Sequence, residues 1–276
     1  PPRGFKQPLW DGSSLEGKTI LLHQEQGFGD MIQFARYVPL VKEKGGTVII
    51  ECQPELLRLF ATLEGVDRVV SSDAPLPDFD VNAPILSLAN IFETTLKSIP
   101  AIVPYVRPPE QHNFVLKPHP NTLSVGICWA GKPTHKNDRN RSCTFADFLD
   151  LTGVADTTFF SLQKGPSMSQ YNERAGGVLM ADVGSKMNDF ADTAAVLDQL
   201  DLIITVDTSI AHLAGAMGRP VWVLVPFAPD WRWLLDRNDS PWYPSMRLFR
   251  QEEVGNWSPV FKKIEAALSE RIAEKN

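Results

Sequence analysis

The stretch LIITVDTSIAHLAGAMGRPVWVL, residues 202–224, contains the structural unit that the rest of the chain repeats. Residues 202–206 and 221–225 are continuous apolar runs, which predict two buried strands. Residues 209–217 predict a helix between them, because Gly218 and Pro220 follow as stop signals. A strand, a helix and a second strand in this order predict a parallel sheet with both faces covered.

The turn Asp207-Thr208-Ser209 opens this helix. Thr208 or Ser209 can cap it, and the free backbone N–H groups beside their hydroxyls then form an anion site suited to a diphosphate. His212, one turn further on, can add another hydrogen-bond donor. Ordinary capping and a core-facing His212 explain the same residues without a ligand, so both interpretations stay open at this point.

The rest of the chain repeats the alternation of strands and helices. Further strands are predicted at residues 18–23, 47–52, 68–70, 80–81, 123–129, 157–162 and 178–180. Helices are predicted at residues 54–61, 189–200 and 259–273, and over the apolar positions Met31, Phe34 and Val38, where Pro39 should kink or confine the helix. Ligands of open parallel sheets bind beyond the carboxyl ends of the strands, so we expect a site there.

A proline-rich passage over residues 100–120 divides the chain. Prolines at this density cannot continue a helix or a central strand. The predicted fold class is therefore α/β, with one Rossmann-like domain over residues 1–112 and a second over residues 113–257. Their parallel sheets are expected to face a central cleft.

The composition limits the class of protein and its compartment. The chain has 276 residues, 43% of them hydrophobic, and a net charge of -6 without a long Lys/Arg block, which disfavours nucleic acid as a partner. Cys52, Cys128 and Cys143 form no CxxC pair and leave an odd count, which predicts a reducing, cytoplasmic compartment. No apolar stretch is long enough to span a bilayer, and no signal peptide opens the sequence.

Two further loops carry polar residues just after predicted strands. The loop AGKPTHKNDRNRS concentrates cations that can neutralise phosphate charge, although a solvated basic loop would look the same. These residues are Lys132, His135, Lys136, Arg139 and Arg141. Gln163 and Lys164, in SLQKGP after the next strand, face the same cleft by the same logic and are further donor-binding candidates.

The loop QGFGD after the first strand contributes Gly27, Gly29 and Asp30. It lacks the GxGxxG spacing of a dinucleotide site, but its glycines would let a substrate approach the backbone closely. Asp30 at the start of a helix can be a simple cap, or it can take a proton from an acceptor hydroxyl.

Three weaker patterns complete the set of candidates. Asp192 and Thr193 lie early in a predicted helix, where an acidic residue stabilises the helix end without any ligand. Asp78-Phe79-Asp80 matches a DxD metal-binding pattern, but nothing nearby supplies more oxygen ligands, so we expect no metal there. An aromatic cluster is predicted to pack between the domains, or else to stack a sugar or nucleobase. It comprises Trp231, Arg232, Trp233, Trp242 and Tyr243.

Five blocks of the sequence closely resemble, in the same order, the C-terminal domain of bacterial tetratricopeptide-repeat glycosyltransferases. They are similar, more distantly, to heptosyltransferases of the ADP-heptose type and to protein O-GlcNAc transferases. The blocks are LLHQEQGFGDMIQFARYVPLV, GICWAGKPTHKNDRNRS, FFSLQKGP, DFADTAAVLDQLDLIITVDTSIAHLAGAMGRPVWVL and PDWRWLLDRNDSPWYPSMRLFRQ. The resemblance covers about residues 9–257 and implies a GT-B fold. It also implies sugar transfer from a nucleotide-diphosphate donor without an essential metal.

The resemblance also assigns roles to residues. Asp30 matches the catalytic base of the heptosyltransferases, and Asp207-Thr208-Ser209 with His212 matches their donor-phosphate segment, although Ser209 stands where they commonly carry glycine. Arg141 or Lys136 would fill their cationic phosphate role. Residues 258–276 would form a helix that crosses back onto the first domain. Tetratricopeptide repeats usually precede this domain and are absent from this sequence, which starts at Pro1, so a missing upstream segment is one expectation.

The leading hypothesis is an inverting glycosyltransferase whose donor is a nucleotide-diphosphate sugar and whose acceptor is a saccharide or a protein. Asp30 would deprotonate the acceptor, while Thr208, Ser209, Arg141 and Lys164 stabilise the leaving group, with no cofactor and no metal. One alternative is a nucleotide-sugar-binding module that has lost catalysis. Another is a sugar-nucleotide epimerase on the same fold, although the sequence offers no acid/base residues poised about a sugar ring.

Overall fold

The computed structural model describes residues 3–174, 177 and 179–275, which form two parallel sheets. The first sheet has the strand order β3-β2-β1-β4. Its strands are β1 (Thr19–His23), β2 (Thr47–Cys52), β3 (Arg68–Ser71) and β4 (Val81–Pro84). All three pairings in it are parallel, so the carboxyl ends of its strands lie along one edge.

The second sheet has six parallel strands in the order β10-β9-β8-β5-β6-β7. Its strands are β5 (Leu123–Cys128), β6 (Thr157–Ser161), β7 (Ala181–Asp182), β8 (Leu202–Val206), β9 (Val221–Val225) and β10 (Met246–Arg250). Both β8 and β9 are fully buried, as their continuous apolar runs predict. Residues 92–122, between the two sheets, contain no helix or strand.

The α-helices of the described residues are short, apart from the C-terminal one at Ser258–Lys275. They are α1 (Phe28–Phe34), α2 (Val38–Lys42), α3 (Leu57–Phe60), α4 (Leu88–Ile91), α5 (Asp138–Arg141), α6 (Phe145–Phe148), α7 (Met168–Glu173), α8 (Phe190–Leu197), α9 (Ser209–Ala216) and α10 (Ser258–Lys275). A 3-10 turn at Ala35–Tyr37 separates α1 from α2, where Pro39 is one of the first residues. Proline is tolerated in the first turn of a helix but not in its interior, which explains why α1 and α2 are separate helices. Within the described residues, no helix has the length and apolarity needed to span a membrane.

Two predicted strands need comment. The weak strand predicted at residues 178–180 includes Val178, which lies outside the described residues, and the strand that pairs with β6 is instead β7. The sequence analysis also missed β10, which follows a stretch rich in aromatic residues and proline. In β10, Met246 and Leu248 are buried while Arg247 is exposed, so the alternation of an edge strand is present but short.

The two halves of the chain share one continuous hydrophobic core. This core joins Met31 and Phe34 of α1 to Ala211 and Leu213 of α9. Beside it, the rings of Phe28 and Phe190, one from each half, lie 4.9 Å apart. The sheets therefore pack against each other through helices that start at their carboxyl ends, which leaves a cleft between those ends.

The C-terminal helix α10 closes the core of the second half. Its buried residues Val260 and Ile264 cluster with Val125 of β5, and the ring of Phe261 meets that of Phe148 at 4.9 Å. The expectation that residues 258–276 pack back on the first domain stays a prediction, but the buried face of α10 contacts the second half. The physical reason is that the apolar face of β5 needs a cover, and α10 provides it.

Candidate active site

A cleft of about 1150 Å³ lies between the carboxyl ends of the two sheets. Its walls are the segments that follow the strands, as expected for open parallel sheets. They comprise residues 26–30 after β1, 130–135 after β5, 162–166 after β6, 187–190 at the start of α8, 207–210 after β8 and 229–232 after β9, with Glu55, Cys128, Asn137, Arg141, Thr193 and His212.

Nearly all of the predicted site residues line this one cleft. Those that do are Gly27, Gly29, Asp30, Arg141, Gln163, Lys164, Asp207, Thr208, Ser209 and His212. Lys136 is exposed and does not line the cleft, whereas its neighbours Lys132 and His135 do. Of the weaker candidates, Thr193 lines the cleft, while Arg139 and Asp192 do not. Lining places a residue within reach of a ligand and leaves its role a prediction.

The start of α9 opens directly into the cleft. Thr208 has an extended backbone and caps the helix, because its Oγ1 accepts a hydrogen bond of 3.3 Å from the backbone N–H of Ile210. A second hydrogen bond of 3.2 Å joins the hydroxyls of Thr208 and Thr205. Ser209, the first residue of the helix, lines the cleft, so its N–H group and hydroxyl are placed where a helix terminus can receive an anion.

Asp207 and Arg141 form the polar floor beside this helix start. Asp207 is 9% exposed, and burial raises the pKa of its carboxyl, while nearby Trp233 and Arg141 act in the opposite direction. Arg141 lies at the end of α5, with its Nε 3.5 Å from Asp138 Oδ1. A side chain on Gly131 would come within 2.6 Å of Arg141 Nη2, so this glycine gives the guanidinium its room.

His212 combines the two roles that the sequence left open. Its ring packs in the core, 5.4 Å from the ring of Trp233, and its Nδ1 lies 2.9 Å from the hydroxyl of Tyr243. Its other edge lines the cleft and faces Gly29 of the first domain, where a Cβ would lie 2.7 Å from His212 Cδ2. Burial, reinforced by nearby arginines, holds the pKa of His212 well below its ordinary value, so the ring is neutral at pH 7.

The side chain of Gln163 is hydrogen-bonded to nearby backbone groups of the same chain. Its Oε1 accepts hydrogen bonds from the backbone N–H groups of Trp129 and Ala130 at 3.1 and 2.9 Å. Its Nε2 donates to the carbonyls of Ala130 and Lys164 at 3.1 and 2.9 Å. Any contribution of Gln163 to ligand binding therefore runs through the loop after β5, which it holds in place. Lys164 in turn donates from Nζ to the carbonyl of Met187.

Asp30 lies on the opposite wall, in the first turn of α1. Its Oδ2 accepts a hydrogen bond of 2.9 Å from the backbone N–H of Gly27, so the capping role is present. Its Oδ1 pairs with Nη2 of Arg232, which comes from the second domain. The sequence analysis placed Arg232 only in an aromatic packing cluster, because nothing local signals a contact across 202 positions.

The other members of that aromatic cluster divide between core and cleft. Trp233 and Tyr243 are fully buried, and the ring of Trp242 meets that of Phe34 of the first domain at 6.1 Å. Trp242 and Tyr243 therefore pack between the two halves, since the guanidinium of Arg36 lies over both rings, whereas Trp233 packs on His212 of its own half. Trp231 is instead 54% exposed and lines the cleft.

The DxD pattern serves the backbone of the first sheet. Oδ2 of Asp80 accepts a hydrogen bond of 2.7 Å from the N–H of Thr19, Asp78 is exposed, and the ring of Phe79 packs on that of Phe5. Across the residues that the structure describes, no group of three or more His, Cys, Asp or Glu side chains is placed to hold a metal ion.

Together, the two parallel sheets and the cleft at their facing carboxyl ends define a GT-B-like fold. Solved heptosyltransferases have the same fold. ADP-heptose lps heptosyltransferase II from E. coli superimposes with a TM-score of 0.63 at 11% identity, covering 92% of this chain and 99% of that one. The E. coli heptosyltransferase WaaC with ADP superimposes with a TM-score of 0.57 at 12% identity, covering 94% of this chain and 100% of the other.

Two sequence comparisons extend this similarity. Residues 167–225, which contain α8, β8, α9 and β9, match the model of glycosyltransferase family 9 (heptosyltransferase). Protein FlbA of Caulobacter vibrioides is 26% identical over 290 residues, which cover 96% of this chain. The chain spans about half the length of that relative, 48%.

Proposed function

We propose that this chain is a glycosyltransferase that moves a sugar from a nucleotide-diphosphate donor to an acceptor hydroxyl, without a metal and with inversion. The observation that carries the proposal is the arrangement of one cleft, in which Asp30 on one wall faces the helix start at Ser209 on the other. The family match over residues 167–225 and the shared heptosyltransferase fold support it.

The donor diphosphate would bind at the wall of the second domain. The N–H groups at the start of α9 and the hydroxyls of Thr208 and Ser209 offer hydrogen bonds to phosphate oxygens. Arg141 and Lys164 line the same wall and would neutralise the charge that develops as the nucleoside diphosphate leaves. Neutral His212 can donate a hydrogen bond without adding charge. One of the structural relatives, WaaC, was solved with ADP, which supports a nucleoside diphosphate as the ligand class.

The acceptor would enter from the wall of the first domain. Asp30 would take the proton from its hydroxyl while the oxygen attacks the anomeric carbon from the face opposite the leaving diphosphate. An attack from that face inverts the anomeric configuration. A saccharide or a protein can supply such a hydroxyl, and the reduced cysteines fit our proposal of a cytoplasmic reaction.

One observation favours a second candidate, a nucleotide-sugar-binding module without catalysis. Both carboxylate oxygens of Asp30 already have a partner, the N–H of Gly27 and the guanidinium of Arg232. Each oxygen keeps a second lone pair, so a base role remains open to it. Binding of the donor without transfer or hydrolysis would establish this second function.

A binding screen tests the donor site first. Thermal unfolding is measured with ADP, UDP and GDP and with the corresponding sugar nucleotides. A ligand at 100 times its Kd adds about 2.7 kcal/mol to the free energy of unfolding. Arg141→Ala should weaken the best binder about tenfold or more, through a lost charge-assisted hydrogen bond. Arg139→Ala is the matched control, because Arg139 belongs to the same helix but does not line the cleft. Equal effects of the two variants would contradict the donor site.

A turnover assay then tests the chemistry. Release of the nucleoside diphosphate from the best-binding sugar nucleotide is followed with and without EDTA, and the anomeric configuration of the product is read by NMR. We expect release that EDTA leaves unchanged, an inverted product and a loss of turnover in Asp30→Asn. Retained configuration, or full turnover in Asp30→Asn, would refute the proposed mechanism while leaving the donor site intact.

A further inference from the structure

We propose that Arg232 is a positioning residue for Asp30, which it holds from the opposite domain in the orientation that accepts a proton. This inference rests on the proposed function, because it gives Asp30 the role of the base. Arg232 follows β9 in the second domain, whereas Asp30 lies in the first turn of α1 in the first. The ion pair between them therefore crosses the cleft that both residues line.

The guanidinium of Arg232 is fixed at three of its nitrogens. Its Nη2 pairs with Asp30, and its Nε donates to Oε1 of Gln33 at 2.6 Å. Its Nη1 donates to Oδ1 of Asp230 at 2.8 Å. Asp30 and Gln33 are neighbours on α1 at a spacing of three residues, so the planar fork of an arginine grips two adjacent positions of the helix.

The surroundings of this fork leave it little freedom. Its side chain is 10% exposed and that of Asp30 is 16% exposed. The ring of Trp231 lies 4.5 Å from the guanidinium carbon and covers one side of it. Gln33 is fully buried, so the anchor on α1 cannot swing out into water. A fork held at this many points defines the rotamer of Asp30 before any substrate binds, which is the arrangement that efficient proton transfer requires.

The charges around Asp30 explain why an arginine is needed there. His212 of α9 packs against Gly29. Arg36, in the 3-10 turn that follows α1, donates hydrogen bonds to the backbone carbonyls of Gln33 and Trp242. Arg232 and Asp230 come from the loop after β9. Among these groups of the described residues, Arg232 is the cation that forms an ion pair with Asp30. It therefore places a positive charge beside the carboxylate and holds that carboxylate in one orientation.

The consequence is that the base is complete only when the two domains have this relative position. Asp30 belongs to one domain and its orienting group to the other, so separation of the cleft walls would release the carboxylate from Arg232. The role is distinct from a mere interdomain ion pair, because it predicts an effect on turnover that depends on Asp30.

The test compares Arg232→Gln and Arg232→Lys with wild type in the nucleotide-release assay, using the sugar nucleotide that binds best in the screen. Arg232→Gln should lower kcat about 10- to 100-fold with the KM for the donor unchanged, because a misoriented base slows the chemical step and leaves donor binding intact. Arg232→Lys keeps the charge but loses the fork, so its kcat should also fall while the KM for the donor stays unchanged. Arg237→Gln is the matched control, since Arg237 pairs with Asp239 in the same segment, outside the cleft.

A double variant decides whether Arg232 acts through Asp30. Arg232→Gln in the Asp30→Asn background should cause no further loss of turnover. An equal further loss would overturn the inference, because Arg232 would then act without Asp30. An unchanged kcat in Arg232→Gln alone would also overturn it, while the proposed function stands. Full turnover in Asp30→Asn would overturn both the inference and the base assignment. Urea unfolding of each variant separates a folding defect from these outcomes.

Discussion

Replacement of Gly29 by alanine tests how the two domains meet at the cleft. The new Cβ would lie 2.7 Å from His212 Cδ2, about 0.7 Å inside the shortest ordinary contact of 3.4 Å. The imidazole cannot move away freely, because Tyr243 holds its Nδ1 at 2.9 Å and Trp233 stacks on its ring. The first turn of α1 would have to shift instead, against a core that it shares with α9.

The magnitude follows from two opposing effects. Overpacking of this kind costs about 1–3 kcal/mol, and loss of the hydrogen bond to Tyr243 would cost about 1 kcal/mol if the ring moved. Alanine recovers up to about 1 kcal/mol, since it is the better helix former at this position of α1. We therefore expect Gly29→Ala to lower the free energy of unfolding by about 1–2 kcal/mol.

Urea unfolding at pH 7 measures this loss, and two variants control it. Gly153→Ala has no atom within 4 Å of the new Cβ, so it should be neutral or slightly stabilising. His212→Ala removes the ring, and Gly29→Ala should then cost nothing further in that background. If Gly29→Ala proves as stable as wild type, or if its cost persists without the His212 ring, the contact that we infer across the cleft is wrong.

Three further predictions concern residues around the same cleft. Thr208→Ala should lower the free energy of unfolding by about 1 kcal/mol, because α9 loses its cap. It should also weaken nucleoside diphosphate binding in a thermal-shift titration, and an effect on stability alone would mean that the hydroxyl does not bind the ligand. His212 is neutral in the folded chain and takes up a proton on unfolding at low pH, so the free energy of unfolding should fall as the pH drops below about 6.5. Urea unfolding of His212→Gln from pH 5 to 8 should show a weaker fall. Arg58→Ala should lower the free energy of unfolding by less than about 1 kcal/mol, and by less still at high salt, because Arg58 pairs with Asp189 and Asp192 at a half-exposed surface. A larger loss in urea unfolding would contradict this expectation.

The fold could be predicted from the sequence because buried parallel strands are continuous apolar runs. Residues 202–206 and 221–225 became β8 and β9 to the residue, and the fold matches that of solved heptosyltransferases. The missed β10 is short and partly exposed, and so gives a weaker signal. The division at residues 112 and 113 stays a prediction, as do the relations to tetratricopeptide-repeat proteins and O-GlcNAc transferases.

The site was predictable only as far as sheet geometry determines it. Loops after parallel strands converge on one edge, so the sequence alone assigns Asp30 and Ser209 to one cleft, which both residues line. Which atoms within the cleft remain available depends on tertiary hydrogen bonds. The amide of Gln163 is used by its neighbouring backbone, and Arg232 reaches Asp30 only because the two domains pack together. Neither contact has a local sequence signal.

The hydrophobic core that extends from α1 into α9 should couple the unfolding of the two halves. Halves with separate cores would melt in two steps, but here the loss of either half exposes apolar surface on the other, so calorimetry should record a single transition. A nucleotide held at the start of α9 would then raise the melting temperature of both halves together. Under the proposed function, a donor bound at the start of α9 would therefore also stabilise the opposite wall of the cleft, through the core that the two halves share.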